Sequence, residues 1–329
     1  MASYIRRRKF LATLLGGAAA AWPLAARAQE PGRTYRIGGL TAASRDAPYI
    51  VAMFEELRRF GFIEGQNLTI DWRGYGLRPD LVSEFAAEFV KARVDVIVAS
   101  GDIAIPAAQR ATVTIPILGV TDDMLRSGLV NSLARPNGNT TGVSILSTEL
   151  DGKRQEILIE AVPGLRRMAA LADSSTTGSP QLQALQDAAR ARNVELSIHR
   201  VAKREEIAAA IDAAKASGAA ALNVLASPIL FSNRQIVMER VAALRLAAIY
   251  QFTEMAEEGG FAAYGPSIVQ LFRELMTRQL VKLLRGVKPA DLPVEQPTKF
   301  ELVINLRTAK AIGDEVPAGL VLRANRVIE

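Results

Sequence analysis

Short runs of apolar and β-branched residues alternate along this sequence with longer segments in which apolar residues recur at helical spacing. Strands are predicted in the first half at 35–40, 68–72, 94–99, 117–120 and 141–145, and in the second half at 167–172, 195–201, 220–225 and 247–250. Helices are predicted between and after them at 48–60, 80–92, 104–111, 128–133, 149–162, 180–192, 204–216 and 231–244. The chain therefore consists of repeated strand–helix units.

Strand–helix alternation of this kind is typical of α/β proteins, in which helices cover both faces of parallel sheets. The run from Val94 to Ala99 is almost continuously apolar, as expected for a strand that is buried on both sides. Two sheets of about five strands fit the chain better than one large sheet. We therefore predict two doubly wound parallel-sheet lobes with a break near 142–147, joined by ordered crossing segments because no flexible linker stands there.

The segment 1–28 has the three parts of a secretion signal. Basic residues at 6–9 precede an apolar stretch at 11–24, and Ala26-Arg27-Ala28 fits a cleavage site. The arginines at 7 and 8, followed by Phe10 and Leu11, also fit the twin-arginine export pattern. A transmembrane anchor is the alternative, but the stretch is shorter than the roughly 20 residues that a spanning helix needs. The sequence predicts cleavage after Ala28 and a periplasmic location.

Removal of this segment changes the charge balance. The chain has 40 Lys and Arg against 34 Asp and Glu, with a pI near 9.7. Five of the basic residues and none of the acidic ones lie in 1–28, which leaves 35 against 34 and a net charge of +1. Nucleic acid is therefore not an expected partner. The chain has no cysteine for a disulfide or a lipid anchor, and no later apolar run could span a bilayer, so we expect a free soluble protein.

Small hydroxyl and acidic residues follow most of the predicted strands. In open parallel sheets, ligands bind outside the carboxyl ends of the strands. The same residue types also cap helices and form turns, and it is their recurrence from strand to strand that favours a binding cleft. The polar candidates for ligand binding are Thr41, Ser44, Ser100, Gly101, Asp102, Asp122, Asp173, Ser174 and Ser227.

The sequence offers little catalytic chemistry. His199 is the only histidine, lies on an edge-like strand and has no cysteine to share a metal with. No Gly-x-Ser-x-Gly elbow, dinucleotide fingerprint or phosphate loop occurs. The acidic pairs Asp122-Asp123 and Glu257-Glu258 fit turn and surface charges better than acid–base catalysis. We predict a binding protein without a metal or cofactor.

Four segments and the C-terminal tail resemble one family. The segments are Ile97-Val98-Ala99-Ser100-Gly101, Thr114-Ile115-Pro116-Ile117, the run at 132–142 and Tyr264-Gly265-Pro266-Ser267, and the tail is 286–310. They resemble the tryptophan/tyrosine-type substrate-binding proteins of ABC transporters. The resemblance covers essentially the whole chain after the signal, and the tail is its most specific part.

The resemblance implies a type I periplasmic-binding fold, a Venus-flytrap arrangement of two doubly wound lobes joined by three crossings. The crossings are expected near 143–146, 264–267 and 296–301. Lobe 1 would comprise 33–143 with 266–296, and lobe 2 would comprise 144–265 with 297–329. Family members bind small solutes, in known cases aromatic amino acids, and hand them to a membrane permease.

The function implied is capture of a small polar or aromatic, amino-acid-like solute in the interlobe cleft and its delivery to ABC permease subunits in the inner membrane. Tyr250, Phe252 and Tyr264 would offer aromatic surface as the lobes close, although each also fits ordinary core or hinge packing. The protein is expected to act as a monomer.

Two positions depart from the family pattern. Asp102 stands where many members have Ser or Thr, and its carboxylate would repel a ligand carboxylate and suit an amino or hydroxyl group. Asp122-Asp123 precedes Met124, where a proline is common in the family. Alternatives are a binding protein that serves a sensor, a periplasmic enzyme, or a sugar-responsive repressor, which the export signal and the lack of a helix-turn-helix argue against.

Overall fold

The two halves of the strand–helix pattern form two separate sheets. The computed structural model describes residues 32–76 and 78–329, so the predicted signal sequence lies outside the described residues. The residues Thr34–Glu329 form one compact unit. We use lobe 1 for the first sheet and the helices packed on it, and lobe 2 for the second sheet and its helices.

Lobe 1 contains a parallel sheet with the strand order β2-β1-β3-β4-β5. Its strands are β1 (Tyr35–Thr41), β2 (Leu68–Gly74), β3 (Val96–Ser100), β4 (Ile117–Thr121) and β5 (Thr140–Ser144). The helices α1 (Pro48–Arg59), α2 (Val82–Lys91) and α3 (Gly101–Ala111) connect them. Because β1 lies inside the sheet with β2 on one side and β3 on the other, the lobe is doubly wound, as predicted.

Lobe 2 contains a second sheet with the order β12-β11-β10-β9-β8-β6-β7. Its strands are β6 (Arg167–Asp173), β7 (Glu195–Val201), β8 (Ala221–Val224), β9 (Ala247–Tyr250), β10 (Ala262–Gly265), β11 (Glu301–Asn305) and β12 (Arg326–Ile328). Its helices are α4 (Asp151–Ala161), α5 (Ser179–Ala191), α6 (Ile207–Ala216), α7 (Pro228–Ser232), α8 (Arg234–Ala243), α9 (Thr253–Glu257), α12 (Leu306–Ile312) and α13 (Ala318–Val321).

The last two strands of lobe 2, β11 and β12, run opposite to the predicted parallel arrangement. β11 pairs with β10 in the antiparallel direction, with Glu301 opposite Gly265. β11 starts at the end of the sheet where β10 finishes, because the chain re-enters the lobe at that end. β11 must therefore run in the opposite direction to β10. The other pairs in this sheet are parallel.

The chain crosses between the lobes three times, as the resemblance implied. The first crossing leads from β5 through 145–150 to α4, and the second leads from β10 to a helix that packs against α1. This helix consists of α10 (Ile268–Gln270), a π-helical stretch Leu271–Met276 and α11 (Thr277–Leu284). The third crossing returns to β11 after Glu295 forms an isolated parallel bridge with Val143.

Two predicted helices are wrong in detail. The segment 128–133 forms turns instead of a helix, because Asp123 accepts hydrogen bonds from the two backbone amides at 125 and 126 and Gly128 has a φ of 67°. The predicted helix 231–244 is divided at Asn233, whose φ of −110° and ψ of 22° separate α7 from α8.

Candidate functional site

Four aromatic rings meet where strands of both sheets end. Tyr49 lies in the first turn of α1, after β1, and its ring centroid is 6.1 Å from that of Phe231 in α7, after β8. Phe252 follows β9 and lies 4.8 Å from Phe231 in an edge-to-face contact, while Phe272 of the π-helical stretch lies 4.7 Å from Tyr49. We call these four residues the aromatic seam. It joins the strand-end loops of lobe 1 to those of lobe 2.

Local helix signals position the two central rings of the aromatic seam. Pro48 is the first residue of α1, a position where its fixed φ and missing N–H suit a helix start, so Tyr49 lies directly after β1. In lobe 2 the Ser227 hydroxyl accepts a hydrogen bond from the Leu230 amide at 3.3 Å and caps α7, which places Phe231 in its first turn.

The surroundings keep the Tyr49 hydroxyl neutral. Burial raises the pKa of Tyr49 to about 12, against an opposing effect of the nearby Arg234 charge. Arg234 also lies 5.1 Å from the centroid of the Phe231 ring and forms an ion pair with Glu258 at 2.8 Å. The aromatic seam therefore combines two half-buried rings, Tyr49 and Phe231, with two buried ones, Phe252 and Phe272, and carries one phenolic hydroxyl and one nearby guanidinium group.

The candidates of lobe 1 lie at the ends of β1 and β3. The Asp102 carboxylate is exposed in the first turn of α3 and accepts a hydrogen bond from the Thr121 hydroxyl at 2.7 Å. Gly101 begins the helix with a φ of 84°, and open space surrounds the position where a Cβ would stand. Ser44 is exposed, whereas Thr41 is buried and donates its hydroxyl to a neighbouring carbonyl. Ser100 is half-buried.

The candidates of lobe 2 differ in how many hydrogen bonds their polar atoms already form within the protein. Asp173 is buried and accepts hydrogen bonds from the Ser227 hydroxyl at 2.7 Å and from the amide and hydroxyl of Ser175. Ser174 is exposed in the same loop. Tyr250 is 1 % exposed and its ring packs against Gly260, so its described contacts lie within the lobe.

Asp122 is engaged in the first crossing. Its Oδ1 accepts the backbone amides of Ser147 at 2.6 Å and Thr148 at 3.1 Å, and its Oδ2 accepts the Thr148 hydroxyl. Its carbonyl accepts the amide of Leu146 at 2.8 Å. Leu146 has a φ of 53°, a left-handed conformation that costs a non-glycine residue about 1–2 kcal/mol. The crossing is therefore both strained and tightly held.

A buried ion pair that the sequence analysis missed joins two of the crossings. Arg154 is fully buried and bonds Asp151 at 2.5 Å. Its guanidinium also donates to the carbonyls of Ser147 in the first crossing and Tyr264 in the second, the latter at 3.0 Å. The predicted role of Tyr264 as an aromatic surface remains a prediction, but its backbone clearly belongs to this network.

Tyr49, Phe231 and Arg154 were all absent from the predicted set. Tyr49 and Phe231 could have been found, because each lies in the first helical turn after a predicted strand. Arg154 gives no local signal, since arginines on helices usually lie at the surface.

Within 32–76 and 78–329, no group of three or more His, Asp or Glu side chains could hold a metal ion. In the same ranges, no helix is both long enough and apolar enough to cross a membrane.

Comparison with known proteins gives one family and several relatives. The family model described as ABC transporter substrate binding protein matches residues 45–328. A tyrosine-binding protein of Clostridioides difficile (strain R20291) is 27% identical over 259 residues, which are 77% of this chain and 72% of that protein.

Solved structures show the same fold. The ABC domain in complex with L-Trp from Streptococcus pneumonia has a TM-score of 0.77 and 24% identity, and the match covers 90% of this chain and 100% of that one. The ligand-free, open structure of a substrate binding protein with adhesive properties from Clostridium difficile has a TM-score of 0.63 and 23% identity, with 90% and 99% covered.

Proposed function

The chain belongs to the ABC transporter substrate-binding protein family, and we propose that it captures a solute of the aromatic amino-acid class between its lobes and delivers it to an ABC permease. The observation that carries this proposal is the aromatic seam, in which rings after β1, β8 and β9 meet across the lobes. Ligand sites of open α/β sheets lie at such strand ends, and mostly apolar linings with a few polar groups are typical of small-molecule sites.

Two relatives support the solute class. One is named a tyrosine-binding protein, and one structural neighbour holds L-Trp. In this chain, the ring of the solute would lie against Tyr49 and Phe231, and its amino group would meet the exposed carboxylate of Asp102. The remaining strand-end candidates, above all Ser44, Gly101 and Ser174, would complete the polar side of the site.

Transport requires that the solute distinguish two conformations. A ligand shifts the equilibrium between open and closed lobes only if it binds one of them better, and contacts from both lobes provide that difference. The permease would then recognise the closed form. The predicted signal at 1–28 supports a periplasmic location for this step.

A thermal-shift screen tests the solute class. The protein from Gln29 onward is heated with L-tyrosine, L-tryptophan, L-phenylalanine, aliphatic amino acids and sugars. A bound solute at 100 times its dissociation constant is expected to add about 2.7 kcal/mol to the free energy of unfolding. Aromatic amino acids should raise the melting temperature and sugars should not. A shift with sugars or aliphatic amino acids alone would contradict the proposed class.

Asp102→Asn tests the amino-group contact. Because a hydrogen bond to a charged group contributes about 1.5–3 kcal/mol, we expect the affinity for L-tyrosine and tyramine to fall roughly 10- to 100-fold. The affinity for 3-(4-hydroxyphenyl)propionate, which lacks the amine, should stay equal or rise. Isothermal titration calorimetry measures both, with Asp123→Asn as the matched control, since Asp123 binds its own turn. Equal losses for amine and non-amine ligands would remove Asp102 from the site.

A further inference from the structure

The first crossing contains a backbone conformation that its own residue does not favour. Leu146 has a φ of 53° and lies between β5 of lobe 1 and α4 of lobe 2. Such conformations persist only where the surrounding structure determines them, and they concentrate in segments that switch or clamp. Contacts from the surrounding residues must therefore hold Leu146 in its left-handed conformation.

Asp122 supplies most of the hydrogen bonds around Leu146. Its carbonyl accepts the Leu146 amide at 2.8 Å, and its carboxylate accepts the amides of Ser147 and Thr148 together with the Thr148 hydroxyl. Asp122 directly follows β4, so all of these bonds fix the crossing to lobe 1. Arg126 is the basic group near it, at 3.5 Å from Oδ2.

Ser147 is held from the opposite side by lobe 2. Its carbonyl accepts Arg154, and its hydroxyl donates to Gln251 Oε1 at 3.4 Å, just after β9. The amide of this residue is thus bound to lobe 1 and its carbonyl and hydroxyl to lobe 2. The angle between the lobes depends on the backbone at 146–147.

We propose that Asp122 is a positioning residue, which holds Leu146 in its left-handed conformation and thereby sets the orientation of the lobes, instead of a residue that contacts the solute. Only the expected effect on solute binding rests on the proposed function, whereas the effect on the orientation of the lobes does not. We call the hydrogen bonds of Asp122 to residues 146–148 the clamp. When the clamp is weakened, Leu146 returns to an ordinary conformation and the lobes turn about the crossing. When residue 146 is glycine, the left-handed conformation carries no penalty, so the orientation no longer needs the full clamp.

The orientation can be measured without any solute. The chain has no cysteine, so Glu84→Cys on lobe 1 and Arg204→Cys on lobe 2, both exposed positions, accept spin labels. We expect Asp122→Asn to broaden or shift the interlabel distance distribution, and Asp122→Asn/Leu146→Gly to restore the parental distribution. Asp123→Asn, which leaves the crossing intact, should match the parent. Thr148→Val removes one donor to Asp122 and should produce a smaller broadening, which tests the clamp if Asp122→Asn fails to fold.

The binding arm uses L-tyrosine as the probe. Asp122→Asn should weaken its binding about tenfold, and the added Leu146→Gly should restore it. A parental distance distribution in Asp122→Asn, or the absence of rescue by Leu146→Gly, would overturn the positioning role and leave the proposed function standing. If L-tyrosine does not bind the parent protein, the proposed solute is wrong, and the distances alone decide the role of Asp122.

Discussion

Arg154→Met is expected to lower the free energy of unfolding at neutral pH by about 3–5 kcal/mol. The substitution leaves the carboxylate of Asp151, which is 1 % exposed, without its charge partner. It also leaves the carbonyls of Ser147 and Tyr264 without the guanidinium that joins the first two crossings. Urea denaturation of the parent and the variant measures the difference.

The pH dependence separates the ion pair from simple packing. Burial raises the pKa of Asp151 above its ordinary value even though Arg154 opposes the change. Without Arg154 the pKa rises further, so the folded variant keeps a proton that the unfolded chain releases. The loss in free energy of unfolding relative to the parent is therefore fully present above the pKa of Asp151 in the folded variant. This loss shrinks as the pH falls toward about 4, the pKa of an aspartate in the unfolded chain. A packing defect alone would give a deficit that does not change with pH.

The double variant Asp151→Asn/Arg154→Met is the control. It removes both charges while keeping similar volumes, and buried pairs replaced together often cost little. We expect the double variant to be more stable than Arg154→Met and to lose the pH-dependent deficit. Additive losses from Asp151→Asn and Arg154→Met would contradict a direct coupling between the two side chains.

The sheets were largely predictable because their signal is local. The β3 strand, Val96–Ser100, comes from an apolar run that is typical of a strand covered on both faces. The direction of β11 is not local information, because it follows from the end at which the third crossing enters lobe 2. The predicted helix 231–244 extended through the polar run Ser232-Asn233-Arg234-Gln235, where α7 ends and α8 begins.

The strand-end positions of the candidate residues could be predicted from the sequence, but the hydrogen-bond partners of those residues could not. Strand-end loops are found once the order of strands and helices is known, which is why Asp102 and Phe252 were proposed. The partners of a polar side chain are not visible in sequence, so Asp122, which is engaged in the first crossing, was grouped with Asp102, which is exposed. Tyr49 was left out because the candidates were taken from the loops after the strands, although the first turn of the following helix lies at the same sheet edge.

Gly142→Ala is expected to destabilise the protein by about 4 kcal/mol or more. The added Cβ would clash with the backbone of the neighbouring strand, and two hydrogen bonds to the Gly142 carbonyl would be disturbed as well. A Cβ at this position would stand 1.8 Å from the carbonyl oxygen of Gly119, which lies opposite in β4. No side-chain rotation relieves that contact, so β5 must move away from β4. The Gly142 carbonyl accepts bonds from Gln279 at 3.1 Å and the Glu295 amide at 2.9 Å, so the third crossing loosens as well.

Two other glycines distinguish this clash from the general effect of losing a glycine. Gly138 has a φ of 72° with open space around a Cβ, so Gly138→Ala should cost only about 1–2 kcal/mol of backbone strain. Gly152 lies in α4 with open space, and Gly152→Ala should add about 0.5–1 kcal/mol through helix propensity. Urea midpoints should therefore fall in the order Gly152→Ala, parent, Gly138→Ala, Gly142→Ala. A Gly142→Ala midpoint equal to that of Gly138→Ala would show that β4 and β5 tolerate a wider spacing, and that the third crossing does not depend on their contact.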